Sequence, residues 1–170
     1  MADTNIAEPW LRGTLTEVDA VTRAVLHALE LADEDVTKSC ATLTDAEFNA
    51  RPFNLPPLAF HLRHIARSLD RLLSYAEGTQ LDATQKAALR TELDPNATRD
   101  AVLAELHAAL RASAVRIRAF SPDHFNSART VGRAALPTTL AGLLVHCADH
   151  TQRHVGQAVT TAKLLVAMRT

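Results

Sequence analysis

Apolar side chains recurring at alternating steps of four and three constrain this chain most. Leu11, Leu15, Val18, Thr22, Val25, Leu29, Ala32 and Val36 keep that rhythm through the first fifth of the sequence. A strand brings every second residue to one face, whereas this period lays one residue per turn along a helical stripe. The same rhythm returns in Leu58, Leu62, Ile65, Leu69, Leu72 and Ala76, and again in Val102, Leu106, Ala109, Ser113, Ile117 and Phe120. A fourth stripe reads Leu140, Leu143, Cys147, His150, His154, Gln157, Thr161 and Leu164. Alanine and leucine dominate, glycine is sparse, and strand-like alternation nowhere lasts more than a few residues. These features predict an all-α fold, a four-helix bundle with long connections and short extra helices.

Capping chemistry places the ends. Thr44 followed by Glu47 is a capping-box pattern and opens a short helix. RPFNLPP interrupts the chain, Pro57 suits the start of the second long helix, and Gly78 suits its end. LDATQKAALRTELDPN reads as a connector with about two turns of helix. Thr98 caps the third long helix. SPDHFNSARTVGRAALP is an irregular crossing with a brief extended piece at Arg129 to Gly132. The last helix is expected to begin at Thr138, after Pro137, and to run about 45 Å, nearly to the end of the chain.

With 170 residues and no linker, repeat or low-complexity tract, residues 1–170 read as a single domain. The formal net charge is −1 and opposite charges are interspersed, which offers no footprint for nucleic acid or an acidic membrane. MADTNIAEPW has neither the basic nor the apolar region of a secretory signal, and no apolar run reaches a membrane span. Cys40 and Cys147 form no paired motif. A reduced, cytoplasmic protein is the expectation.

HCADHTQRH sets His146, His150 and His154 four residues apart. On a helix, residues i and i+4 are neighbours, close enough for two ring nitrogens to share one ion. Such a pair is more often solvated or hydrogen-bonded. Two imidazoles on an inward stripe, however, each need a partner, because neither charges easily there. His150 and His154 fall on that stripe and His146 at its margin. A third ligand would come from AFHLRHIARS on the second helix. By helical-wheel arithmetic, His61 lies about 70° from the centre of the apolar stripe and His64 about 130°. Periodicity thus favours His61. His27, His107 and His124 lack such company and are expected at the surface or a helix boundary.

Other chemistries fail on the letters. HCADH puts Cys147 where a zinc peptidase carries the glutamate of HExxH. Glu-x-x-His, required by a di-iron bundle, occurs nowhere. There is no glycine-rich phosphate loop, no GxSxG elbow, and no cysteine pattern for haem or an iron–sulfur cluster. No catalytic acid or base can be singled out.

Taken together, PLAFHLRHIARSLDRLLSYAEG and HTQRHVGQ resemble the DinB/YfiT-like family of metal-binding four-helix bundles, over most of the chain from EPWLRG to VGQAVTTAK. The resemblance implies a ligand set of one histidine on the second helix and two, four apart, on the last. HTQRH supplies His150 and His154. The family's second-helix ligand precedes an apolar residue and alanine, which fits His64 in HIARS, with His61 in reserve. The ion implied is divalent, Zn²⁺ or Ni²⁺ first among candidates, in an open three-histidine site. The activity implied is a metal-dependent S-transferase joining a low-molecular-weight thiol to a small electrophile. The alternative is a non-catalytic metal-binding bundle. A homodimer is also expected.

Overall fold

The computed structural model describes residues 7–169. Residues 1–6, part of the N-terminal stretch read above as lacking a secretory signal, lie outside that range. The chain is mostly helical. Four long helices carry the core: α1 (Ala20–Cys40), α3 (Leu58–Ala76), α5 (Arg99–Arg118) and α6 (Leu140–Ala167). Two short helices, α2 (Asp45–Asn49) and α4 (Ala83–Ala88), lie in the connections. The long helices contact one another in a ring, α1 to α6, α6 to α3, α3 to α5 and α5 to α1. Leu62, Ile65, Leu69, Leu106, Ile117, Leu144 and Phe48 are among the side chains fully buried between them.

The expected caps are present. The Thr44 hydroxyl accepts from Glu47 N while the Glu47 carboxylate accepts from Thr44 N, so two otherwise orphaned donors are satisfied. Thr98 accepts from Ala101 N, Pro57 precedes α3, and Gly78 ends it at φ 81°. The first helix, expected to be under way by Leu11, instead starts at Ala20. Asp19 caps it by accepting from Val21 N and Thr22 N. Upstream, Gly13 and Leu15 adopt positive φ and break any helix there. Leu15 and Val18 still pack against the core, so their spacing recorded burial rather than helix.

The crossing before α6 is more ordered than expected. β1 (Ala128–Val131) pairs antiparallel with β2 (Leu136–Thr139), in the register Ala128↔Thr139 to Val131↔Leu136. The all-α expectation thus gains a small hairpin, and α6 begins at Leu140 rather than Thr138. Pro137 is tolerated because each strand of a two-stranded ribbon has a free edge. The hairpin also closes the start of α6: Leu140 N donates to Ser127 O and Ala141 N to Phe125 O. Thr139 completes the cap by accepting from Gly142 N.

Cys40 and Cys147 are buried, unpaired thiols, each with a pKa pushed up to about 12 by burial. No helix among the described residues is long and apolar enough to cross a membrane.

Candidate metal centre

α6 lies between α1 and α3, and this determines where its histidines point. Its buried residues are Leu140, Leu143, Leu144, Cys147, Thr151, Val155, Ala158, Thr161, Ala162 and Leu165. The expected stripe holds at Leu140, Leu143, Cys147 and Thr161 but leaves the buried line in between: His150 and His154 are half-buried and Gln157 is exposed. There Thr151, Val155 and Ala158 take the buried line, each one residue on from the expected position. His150 and His154 consequently sit on its flank. There they meet His64, half-buried on α3. One ring nitrogen from each of His64, His150 and His154 lies within 4.8 Å of the other two. His64 Nε2 and His150 Nε2 are 3.2 Å apart, and the ring centroids of His64 and His154 are 4.5 Å apart.

His61 shows what the wheel measured. It is only 5% exposed, deeper than His64, as its angle implied. It stands behind the cluster rather than in it, with Nδ1 3.1 Å from His154 Nδ1. One of those nitrogens carries the hydrogen and the other accepts it. Phe60 seals the α3 side: its ring stacks on His64 at 5.3 Å and presents edge contacts to His61 and His154.

Burial disfavours charge on three of these rings. Burial, reinforced by neighbouring histidines, lowers the pKa of His61 and of His150 to about 4, and lowers that of His154 as well. An uncharged imidazole retains the lone pair that a metal requires.

Glu92 was not anticipated. It is a buried carboxylate on the connector between α4 and α5, 6% exposed, and its Oε2 lies 2.8 Å from His64 Nδ1. Burial alone would raise its pKa, but hydrogen bonds from His64 and Arg71 outweigh that and hold it below the usual glutamate value. Arg71 Nη1 donates to Glu92 Oε1 at 3.0 Å. Two more arginines at four-residue intervals on α3 grip the same connector. Arg67 Nη1 donates to Ala88 O and Thr91 Oγ1 at 2.7 and 2.9 Å, and Arg63 Nη1 to Asp94 O at 2.9 Å. A signal that could have led there is the four-residue spacing of Arg63, Arg67 and Arg71 on α3, although only Arg71 pairs with Glu92 and Arg67 pairs with Glu105.

The remaining histidines divide. His146 is exposed at the margin, near Asp149, as expected. His124 is exposed. His107 is half-buried and paired with Asp33. His27, expected at the surface or a helix boundary, is instead buried, with Nε2 3.1 Å from Thr14 Oγ1. The hydroxyl satisfies the ring and lets it face the interior. Beside the cluster opens a pocket of about 570 Å³, lined by Leu55, Pro56, Phe60, His61, His154 and Thr161 among others.

Comparison with known proteins agrees with this fold. The family model described as the DinB superfamily matches residues 15–158. Among solved structures, the crystal structure of a conserved protein from Enterococcus faecalis is similar, with a TM-score of 0.72 and 20% identity. That match covers 88% of this chain and 99% of the other, and at such identity it speaks for the fold alone. No curated protein matches.

Proposed function

The chain belongs to the DinB superfamily, and from that premise we propose that His64, His150 and His154 hold one divalent cation, Zn²⁺ or Ni²⁺, in a four-helix bundle of the DinB type. The single observation that carries this reading is the convergence of three imidazole nitrogens within 4.8 Å. The donor set fits the ion. Ligand bonds of about 2.0–2.1 Å at a tetrahedral angle separate two nitrogens by about 3.4 Å. His64 Nε2 and His150 Nε2 lie 3.2 Å apart, close to that spacing. Three neutral protein ligands, rather than four, suit a site with an open position.

For its chemistry we infer S-transfer: a low-molecular-weight thiol gives up its S–H proton and its sulfur forms an S–C bond, as an epoxide C–O bond or a Michael acceptor's C=C π bond opens and takes up a proton, or as halide leaves an alkyl halide. A divalent ion supplies Lewis acidity, which brings a thiol to its nucleophilic thiolate near neutral pH. The protein's own contribution is threefold. Burial disfavours charge on His150 and His154, which leaves their lone pairs available. Phe60 packs over His64 and limits the freedom of the ligand rings. The neighbouring pocket, with Leu55, Pro56 and Phe60 on one wall, gives an apolar electrophile a place beside the cluster.

Two measurements test this in order. Metal analysis of protein prepared without chelator, or reloaded with Zn²⁺ or Ni²⁺, should find about one ion per chain. Conjugation of an epoxide, a Michael acceptor or an alkyl halide should then be followed with each of several small thiols, with and without the ion. Metal-dependent turnover supports the transferase. One bound ion without turnover for any pair leaves a non-catalytic metal-binding module, and no ion at all removes both.

A further inference from the structure

We propose that Glu92 is the positioning residue of this centre, fixing His64 as the tautomer whose Nε2 lone pair faces His150 and His154. Its functional meaning rests on the metal reading above, but its geometry stands independently. The carboxylate divides its two oxygens: Oε1 accepts from Arg71 Nη1 at 3.0 Å and Oε2 from His64 Nδ1 at 2.8 Å. An ionised carboxylate only accepts, so the hydrogen of a neutral His64 ring must sit on Nδ1. Nε2 is then the free acceptor, and it lies 3.2 Å from His150 Nε2. Ser68 Oγ, 3.3 Å from the same nitrogen, is itself engaged by Arg71 Nη2 at 2.8 Å. Arg71 thus steadies both Glu92 and Ser68 beside the His64 ring. The clamp on the connector by Arg63 and Arg67 delivers Glu92 to this place. Carboxylate partners of this kind orient metal-binding histidines and raise their basicity.

The arrangement makes a near-isosteric substitution informative. In Glu92→Gln the amide oxygen must face Arg71, which can only donate. The amide NH₂ then takes the place of Oε2 and faces His64 Nδ1. That nitrogen has to accept, so the ring hydrogen moves to Nε2, into the space the ion would occupy.

Two-bond ¹H–¹⁵N spectra of the chelated full-length protein report the tautomer directly. The unaltered chain should carry His64 as the Nδ1–H form, and Glu92→Gln as the Nε2–H form. Competition with a chromogenic chelator for Zn²⁺ should show affinity about 10–100-fold weaker in Glu92→Gln. An Nε2–H ring in the unaltered protein overturns the proposal. So does a Glu92→Gln protein that binds Zn²⁺ within about threefold of the unaltered one, or that loses Zn²⁺ while keeping Nδ1–H. If Glu92→Gln does not fold, the tautomer of the unaltered chain decides alone. If that chain shows Nδ1–H yet binds no Zn²⁺, the positioning role stands and the metal reading fails.

Discussion

Acidifying the metal-free protein should destabilise it well before its carboxylates titrate, and His61 sets the size of the effect. In the unfolded chain its imidazole titrates near 6.5, whereas in the folded protein burial and the neighbouring His154 and His64 bring it to about 4. Between those values the unfolded chain holds a proton that the folded chain refuses, so stability rises with pH across the window. The contribution is fully present above about pH 6.5 and is lost as pH falls towards about 4. For one group with these two values, linkage gives about 2 kcal/mol less stability at about pH 5 than at about pH 7.5. His150, also lowered to about 4, is half-exposed, so solvent screening cuts its share to about 1 kcal/mol. The depressed carboxylates Glu47 and Glu92 start from 4.5 in the unfolded chain, and their losses fall at lower pH. The assay is urea unfolding in the presence of chelator at the two pH values. A drop of about 3 kcal/mol is expected for the unaltered protein, and about 1 kcal/mol for His61→Leu, which removes the titrating group while keeping apolar volume. Equal stability at both pH values, or a drop that His61→Leu does not reduce, would refute the reasoning.

Alanine at His64, His150 or His154 should abolish stoichiometric Zn²⁺ uptake in metal analysis, because two imidazoles hold an ion far less firmly than three. His61→Ala and His146→Ala should still bind about one ion per chain, since neither belongs to the converging set. Light scattering at micromolar concentration should give the mass of a homodimer; a monomer mass throughout removes that expectation. Cys40 and Cys147, buried and with pKa values near 12, should resist Ellman's reagent in the folded protein and react at once in urea. Fast labelling of either thiol under native conditions would contradict the packing.

Which of these features the chain displays openly follows from what periodicity measures. An apolar residue every three or four positions records burial, and burial coincides with helix only where the backbone is free to coil. Over α3 and α5 the two coincide, and Thr98 and Gly78 mark the ends through chemistry local to each. Before α1 they part: Leu15 and Val18 reach the core from a turn held open by Gly13 and by Leu15's own positive φ. The hairpin was half visible because Ala128–Val131 is β-prone, whereas its partner strand, just past the turn at 132–135, contains Pro137. At the centre, wheel and family resemblance disagreed over His61 and His64 because they address different properties. The wheel finds the ring nearest the core, and that ring is His61. A shared ion needs rings on the flanks of two stripes, where lone pairs from different helices can meet, and His64, His150 and His154 all lie there. Glu92 had no periodic signal because its connector is too short to have one. Glu92 is held by Arg71, while Arg63 and Arg67 on the same face of α3 donate to backbone carbonyls on either side of it.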